Sequence, residues 1–167
     1  MSFGRRRSWL AMMLVLALVR LPAHASSSVE DKSEATRITE IALERDCPGC
    51  LAGSVLTLRS DGAATYAVTG KSRFGSDTKV SKGSVSAADF KKVARLIVER
   101  GFFGLDDQYD DSAIKDGAWT TTRVTRDGQD KSIFRRDGSG PAALRDVERA
   151  IDAVKGKIEF APKISEK

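Results

Sequence analysis

Two kinds of hydrophobic periodicity alternate along the chain and predict strands and helices in a definite order. Six short segments are rich in residues that favour β-structure, and several of them alternate apolar and polar positions with the two-residue period of a strand. Ser60-Asp61-Gly62 and Asp127-Gly128 separate two pairs of these segments and are typical of tight hairpin turns. The predicted strands cover residues 37–44, 54–59, 64–69, 79–85, 119–125 and 131–135.

Two other segments follow the period of an amphipathic helix. Ser86 is a suitable N-cap for the first helix, and Gly101 lies where a left-handed residue commonly ends one. Pro141 opens the second helix, where a missing N–H is tolerated, and Gly156 ends it. The apolar stripes are Phe90, Val93, Ala94 and Ile97 in the first helix, and Leu144, Val147, Ile151 and Val154 in the second.

The order of these elements is four strands, a helix, two strands and a helix. It predicts an α+β fold in which an antiparallel sheet of about six strands is covered on one face by two helices. Phe102, Phe103 and Leu105 follow the first helix as an apolar step, and we expect them to fill the core. The threonine-rich segment after Trp119 predicts that the other face of the sheet is open to water.

The first 25 residues have a different character. Arg5, Arg6 and Arg7 precede an uncharged apolar run from Leu10 to Val19, and Ala23-His24-Ala25 places small residues where a signal peptidase cleaves. The run is far shorter than the roughly 20 residues of a membrane-spanning helix. We therefore predict a periplasmic or secreted protein with no membrane anchor after cleavage, made of a signal peptide (1–25), a flexible lead-in (26–35), one domain (36–160) and a tail (161–167).

The export route and the charge depend on the same segment. Arg6-Arg7-Ser8-Trp9-Leu10 resembles the twin-arginine pattern, whereas the strongly apolar core favours the general secretory route, so both stay open. Cleavage would remove four arginines, leaving 24 of the 28 Lys and Arg residues against 23 Asp and Glu, a net charge of +1 instead of +5. The basic character of the precursor therefore does not indicate a nucleic-acid partner.

Cleavage would also remove His24, the only histidine. The remaining 142 residues, 167 minus 25, are the size of one ordinary domain. Without an imidazole, catalysis of the Ser-His-Asp or Cys-His type is excluded, and acid or base chemistry would need carboxylates or lysine. We predict no catalytic residue and no cofactor.

Cys47-Pro48-Gly49-Cys50 is the sharpest chemical feature of the sequence. This spacing is compatible with a redox dithiol, half of a zinc site or a short structural disulfide. A redox dithiol needs its first cysteine at a helix N-terminus, whereas a β-rich segment follows here, and a zinc site needs four ligands. We predict a structural disulfide between Cys47 and Cys50, with a thiol–disulfide oxidoreductase as the alternative.

Other charged and aromatic positions have simpler interpretations than a site. The acidic segment between residues 106 and 116 is a candidate for a calcium site or for a glycosidase-like carboxylate pair. It lacks the spacing of a calcium loop, and we interpret it as a solvated loop. Tyr109 and Trp119 either line a ligand groove or pack at the sheet edge. We interpret the basic pairs as solvated positions, and we predict no metal. The residues concerned are Asp106, Asp107, Asp110, Asp111 and Asp116, with the basic pairs Lys91-Lys92 and Arg135-Arg136.

Several short motifs occur in an order that is shared with a known family. They are Arg45, Cys47 and Cys50; Asp61-Gly62 and Tyr66; the segment 101–105 with Tyr109; Asp116; Pro141, Leu144 and Ile151-Asp152. In this order, over about residues 37–155, the chain resembles an uncharacterised bacterial family, the domain of unknown function 6438. The family usually has a C-x-x-x-C-P spacing followed by tyrosine, where this chain has Cys-Pro-Gly-Cys followed by Leu51. The resemblance supports the domain boundaries and implies no substrate.

These observations predict an exported, non-enzymatic binding or structural module of the cell envelope. We expect one face of its sheet or of its helices to contact a protein or another envelope component.

Overall fold

The part of the chain that the computed structural model describes, namely residues 33–71, 77–110, 113 and 116–162, contains eight strands, two long helices and two short helical segments, at 33–36 and 102–104. The predicted signal peptide lies outside the described residues. None of the described helices is long and apolar enough to cross a membrane. The elements are β1 (Ile38–Asp46), β2 (Ala52–Arg59), β3 (Ala63–Gly70), β4 (Lys79–Ser84), α1 (Ala87–Glu99), a 3-10 turn (Phe102–Gly104), β5 (Gln108–Tyr109), β6 (Trp119–Arg126), β7 (Gln129–Arg136), α2 (Ala142–Lys155) and β8 (Ala161–Pro162).

All eight strands belong to one sheet, in the order β5-β7-β6-β1-β2-β3-β4-β8. The pairings are antiparallel except for the parallel contact between β5 and β7. The α+β class is confirmed, and the six longer strands and two helices follow the predicted order. The two edge strands β5 and β8 were not predicted, because two residues are too few to show a period.

Both helices pack on the same face of the sheet. Ile41 lies opposite Leu58 on β2 and opposite Val124 on β6, so these three side chains share one face. All three are completely buried, in one cluster with the apolar stripes of α1 and α2. We call the other side of the sheet the open face; it carries alternate positions such as Glu44 and Arg123, which are exposed.

Local signals predicted several of the helix ends and turns correctly. The Ser86 hydroxyl caps α1 by accepting the Asp89 N–H at 3.0 Å, and Gly101 has the left-handed φ of 64° that ends this segment. Asp127 and Gly128 both have positive φ, as a tight hairpin with this twist requires. Phe102 is fully buried behind α1, as expected for an apolar plug.

Candidate functional site

The disulfide lies in the connection between β1 and β2. Cys47 and Cys50 are bonded, and the Cys50 N–H donates to the Cys47 carbonyl at 3.3 Å, so the bond closes a β-turn. Strand β2 begins at Ala52, two residues after Cys50. The predicted disulfide is therefore present, and a strand rather than a helix follows its second cysteine.

Lys71 and Asp46 hold the disulfide turn through its backbone. The Cys47 N–H donates to Asp46 Oδ1 at 2.7 Å, and Lys71 Nζ donates to the Cys47 carbonyl. Lys71 Nζ also forms an ion pair with Asp46 Oδ1 at 2.7 Å and lies 6.0 Å from the centre of the Trp119 ring. Both backbone polar groups of Cys47 are thus bound by side chains, which fixes the turn to the end of the sheet.

Gly53 leaves room for this arrangement. A Cβ atom at position 53 would lie 2.6 Å from Thr69 Oγ1 and 2.9 Å from Asp46 Cγ, closer than van der Waals contact allows. The absence of a side chain therefore lets Asp46 reach across β2 towards Lys71. The requirement for glycine here depends on the paired strands and could not be read from the local sequence.

Aromatic side chains occupy the open face beside the disulfide turn. Trp119 lies opposite Asp46 on β1 and Arg136 on β7, and Phe134 lies opposite Thr121 in the adjacent row of the same face. Both rings are half-buried. At the tip of the connection Leu51 is 73% exposed.

On the helix-covered face, a second polar cluster lies under α2. The Arg45 guanidinium binds both oxygens of Asp152, at 2.6 and 2.8 Å, and this hydrogen bonding raises the pKa of Arg45. Lys155 Nζ lies 3.7 Å from the centre of the Tyr66 ring. Hydrogen bonding from Lys155 lowers the pKa of Tyr66. These contacts tie the C-terminal half of α2 to β1 and β3.

The interpretation of Arg135 as a solvated residue was wrong. Its side chain is 14% exposed and binds Glu148 of α2, which is 3% exposed. Arg135 lies two positions from the buried Ile133, and Glu148 lies four positions after Leu144 in the apolar stripe of α2. The sequence therefore places a positive residue on the buried face of β7 and a negative residue in the apolar stripe of α2, and this pattern could have predicted the ion pair. The neighbouring Arg136 pairs with Asp110 at 2.8 Å.

The acidic segment is distributed rather than gathered into one site. Asp107 pairs with Lys131 and Asp110 with Arg136, while Asp111 lies outside the described residues. Within the described ranges, no three His, Cys, Asp or Glu side chains are placed to hold a metal ion.

Tyr109 and Trp119 do not line a common groove. Tyr109 pairs with Arg135 and Trp119 with Arg136, and successive residues of a strand point to opposite faces. Tyr109 packs against the core, and its hydroxyl accepts the Asp106 N–H at 3.0 Å. Trp119 lies on the open face.

The comparisons with known proteins identify a family but not an activity. No curated protein matches the sequence. A family model described as a domain of unknown function (DUF6438) matches residues 45–155, more than half of the 167 residues, from the end of β1 to the end of α2. The match includes the disulfide turn with Asp46 and Lys71, and the polar cluster under α2. The chain therefore belongs to the family of the domain of unknown function DUF6438.

Proposed function

We propose that the chain is an exported binding module of the cell envelope, with a structural Cys47–Cys50 disulfide and a contact surface on the open face of its sheet. The observation that carries this proposal is the strand that begins at Ala52, directly after the disulfide turn. A reactive C-x-x-C pair relies on a helix N-terminus to lower the thiol pKa, and a strand supplies neither the dipole nor the free N–H groups.

The surroundings of the turn also support a structural role. Asp46 and Lys71 bind the N–H and C=O of Cys47 and pair with each other, so two side-chain contacts besides the sulfur bond fix the turn on the sheet. The disulfide would stabilise so small a loop by only about 2 kcal/mol on the chain-entropy model. Its contribution is then to hold the connection between β1 and β2 in one conformation.

The composition of the open face supports binding. Trp119 and Phe134 present half-buried rings there, and the Arg136 guanidinium lies opposite Trp119 and 5.7 Å from the centre of the Phe134 ring. Aromatic residues and arginine are enriched at the centres of protein interfaces, because aromatic rings bury much area with few rotatable bonds and the guanidinium donates several hydrogen bonds. A twisted sheet with helices on one side offers such a surface without rearrangement.

Export is supported by the sequence of residues 1–25, which has a basic start, an apolar run and an Ala-x-Ala end. A disulfide on a half-buried turn also agrees with an oxidising compartment, where vicinal thiols pair.

A photo-crosslinking amino acid at Thr121, on the open face, tests this proposal in intact cells. The matched control carries it at Arg149, an exposed position on α2. We expect a discrete crosslinked product in the envelope fraction from position 121 and none from position 149. Equal products from both positions, or products only in the cytosol, would contradict the proposal.

A thiol-exchange measurement separates the structural role from the alternative, a thiol–disulfide oxidoreductase. We expect the Cys47→Ser/Cys50→Ser variant to keep the crosslink from position 121. Catalysed thiol exchange that disappears in this variant, while its free energy of unfolding stays unchanged, would favour the oxidoreductase.

A further inference from the structure

A groove of about 360 Å³ lies at the N-terminal half of α1, beside the start of β1 and the end of β2, whereas the disulfide turn joins the opposite ends of these two strands. Ala35, Ile38 and Phe90 contribute to its lining, and each of them is less than a tenth exposed. Ser60 from the turn between β2 and β3 also lines it. The volume falls in the range of small-molecule sites, which are typically apolar with a few polar groups that orient the ligand.

Two cations belong to the same groove. Lys91 and Arg95 line it and are four residues apart on α1, so they project from the same side of the helix. Arg95 Nε donates to the Lys91 carbonyl at 3.4 Å, which keeps the guanidinium near this turn of the helix. Like charges in this relation repel each other and destabilise the helix slightly.

No carboxylate in the described ranges forms an ion pair with either cation. The acids that adjoin lining residues in the sequence are bound elsewhere: Glu34 pairs with Arg126, Asp61 with Arg59, and Asp89 with Lys157. The groove therefore combines an apolar lining with two exposed cations that form no ion pair within the described ranges.

From this combination we propose that the groove binds a single-chain acyl carboxylate. The acyl chain packs on Ile38 and Phe90, where its burial supplies most of the affinity. The carboxylate binds Lys91 and Arg95, which relieves their repulsion and sets the direction of the ligand. This site is independent of the open face, so it stands or falls separately from the proposed function.

Isothermal titration of the purified protein with dodecanoate, below its micelle concentration, tests the proposal. Undecyltrimethylammonium serves as the matched probe, with the same alkyl chain and the opposite head charge. We expect saturable binding of dodecanoate and an affinity at least about tenfold weaker for the cation. Equal affinity for both probes, or no saturable binding of dodecanoate, would overturn the proposal.

Charge reversal locates the binding. We expect Lys91→Glu/Arg95→Glu to weaken dodecanoate binding by about tenfold or more. The control Lys82→Glu/Lys92→Glu makes the same change in net charge at exposed positions outside the groove lining, and should bind as the unmodified protein does. Similar losses in both double variants, with circular dichroism showing both folded, would place the ligand elsewhere and overturn the proposal.

Discussion

Arg135 of β7 and Glu148 of α2 form a bidentate ion pair beneath the helix. Arg135 Nε lies 2.8 Å from Oε1, and its terminal nitrogen lies 2.5 Å from Oε2. The Thr122 hydroxyl donates to the same carboxylate at 3.4 Å. Because the Glu148 side chain is only 3% exposed, its charge depends on these partners rather than on water. The pair sets the position of α2 across the sheet.

Removal of one partner should therefore be costly. We expect Arg135→Met to lower the free energy of unfolding by about 3–5 kcal/mol, since it leaves the Glu148 carboxylate buried without its cation. Urea unfolding at neutral pH measures this. Arg123→Met, at an exposed position on the open face, is the control and should change stability by less than about 0.5 kcal/mol.

The double variant Arg135→Met/Glu148→Leu distinguishes an uncompensated charge from lost packing. Apolar replacement of both partners of a buried pair is often neutral or stabilising, so we expect it to recover most of the loss. A double variant no more stable than Arg135→Met would contradict the explanation.

The sequence predicted the main elements because each was marked locally. The Asp127-Gly128 turn, the Ser86 cap and the apolar stripe through Ile97 depend on residues that are close along the chain, and the structure has them where expected. The predicted disulfide is of the same kind, since its cysteines are three positions apart.

Features that depend on pairing between distant segments were missed. The contact of Arg135 with Glu148 requires α2 to pack on β7. The contact of Lys71 with Asp46 requires the end of β3 to lie near the end of β1, with only β2 between them in the sheet. Likewise, Tyr109 and Trp119 flank the acidic segment in the sequence but do not meet in the fold. The two neighbouring residues with which they pair in β7 place them on opposite faces.

Gly83 of β4 marks a second close approach. A Cβ atom there would lie 2.5 Å from Ile158 Cγ2 and 2.9 Å from the Glu159 carbonyl oxygen, which belongs to the backbone and cannot rotate away. We expect Gly83→Ala to destabilise the fold by about 1–3 kcal/mol, as overpacked substitutions do. Thermal unfolding measures the change.

The control for Gly83 is Gly49→Ala, because nothing lies within 4 Å of a Cβ at position 49. We expect it to change stability by less than about 0.5 kcal/mol. Equal effects at the two positions would show that the segment after α2 does not pack on β4 as described.

Asp89 connects the start of α1 to the segment after α2. Hydrogen bonding from Lys157, and next from Ser86, lowers the pKa of Asp89. We expect Lys157→Met to raise this pKa towards the ordinary value, as measured by carboxyl NMR titration. Lys155→Met is the control, since Lys155 contacts Tyr66 instead, and it should leave the Asp89 titration in place.

The same carboxylate gives a pH dependence with a definite sign. A folded-state pKa below the unfolded one stabilises the fold above the unfolded pKa, and this contribution is lost as the pH falls through the folded pKa. We therefore expect Asp89→Asn to lose less stability on acidification than the unmodified protein. A steeper loss in the variant would contradict the assignment.

The disulfide should contribute modestly to stability. We expect Cys47→Ser/Cys50→Ser to lower the free energy of unfolding by about 2 kcal/mol, because it removes the closure of a short loop from the unfolded state. Chemical unfolding under non-reducing conditions measures the difference. Leu51→Ser, at the exposed tip beside the turn, is the control and should be nearly neutral. An unchanged midpoint in the double serine variant would argue against a structural disulfide.

The central claim, an exported chain whose two cysteines are bonded to each other, is tested most directly by intact-mass analysis of protein from native cells, alkylated without reduction. The account predicts a polypeptide that begins at Ser26 in the envelope or extracellular fraction. Its mass should be two hydrogen atoms below that of the same polypeptide with two free thiols, with no alkyl group on Cys47 or Cys50. An unprocessed chain beginning at Met1 in the cytosol, or two alkylated cysteines, would contradict it.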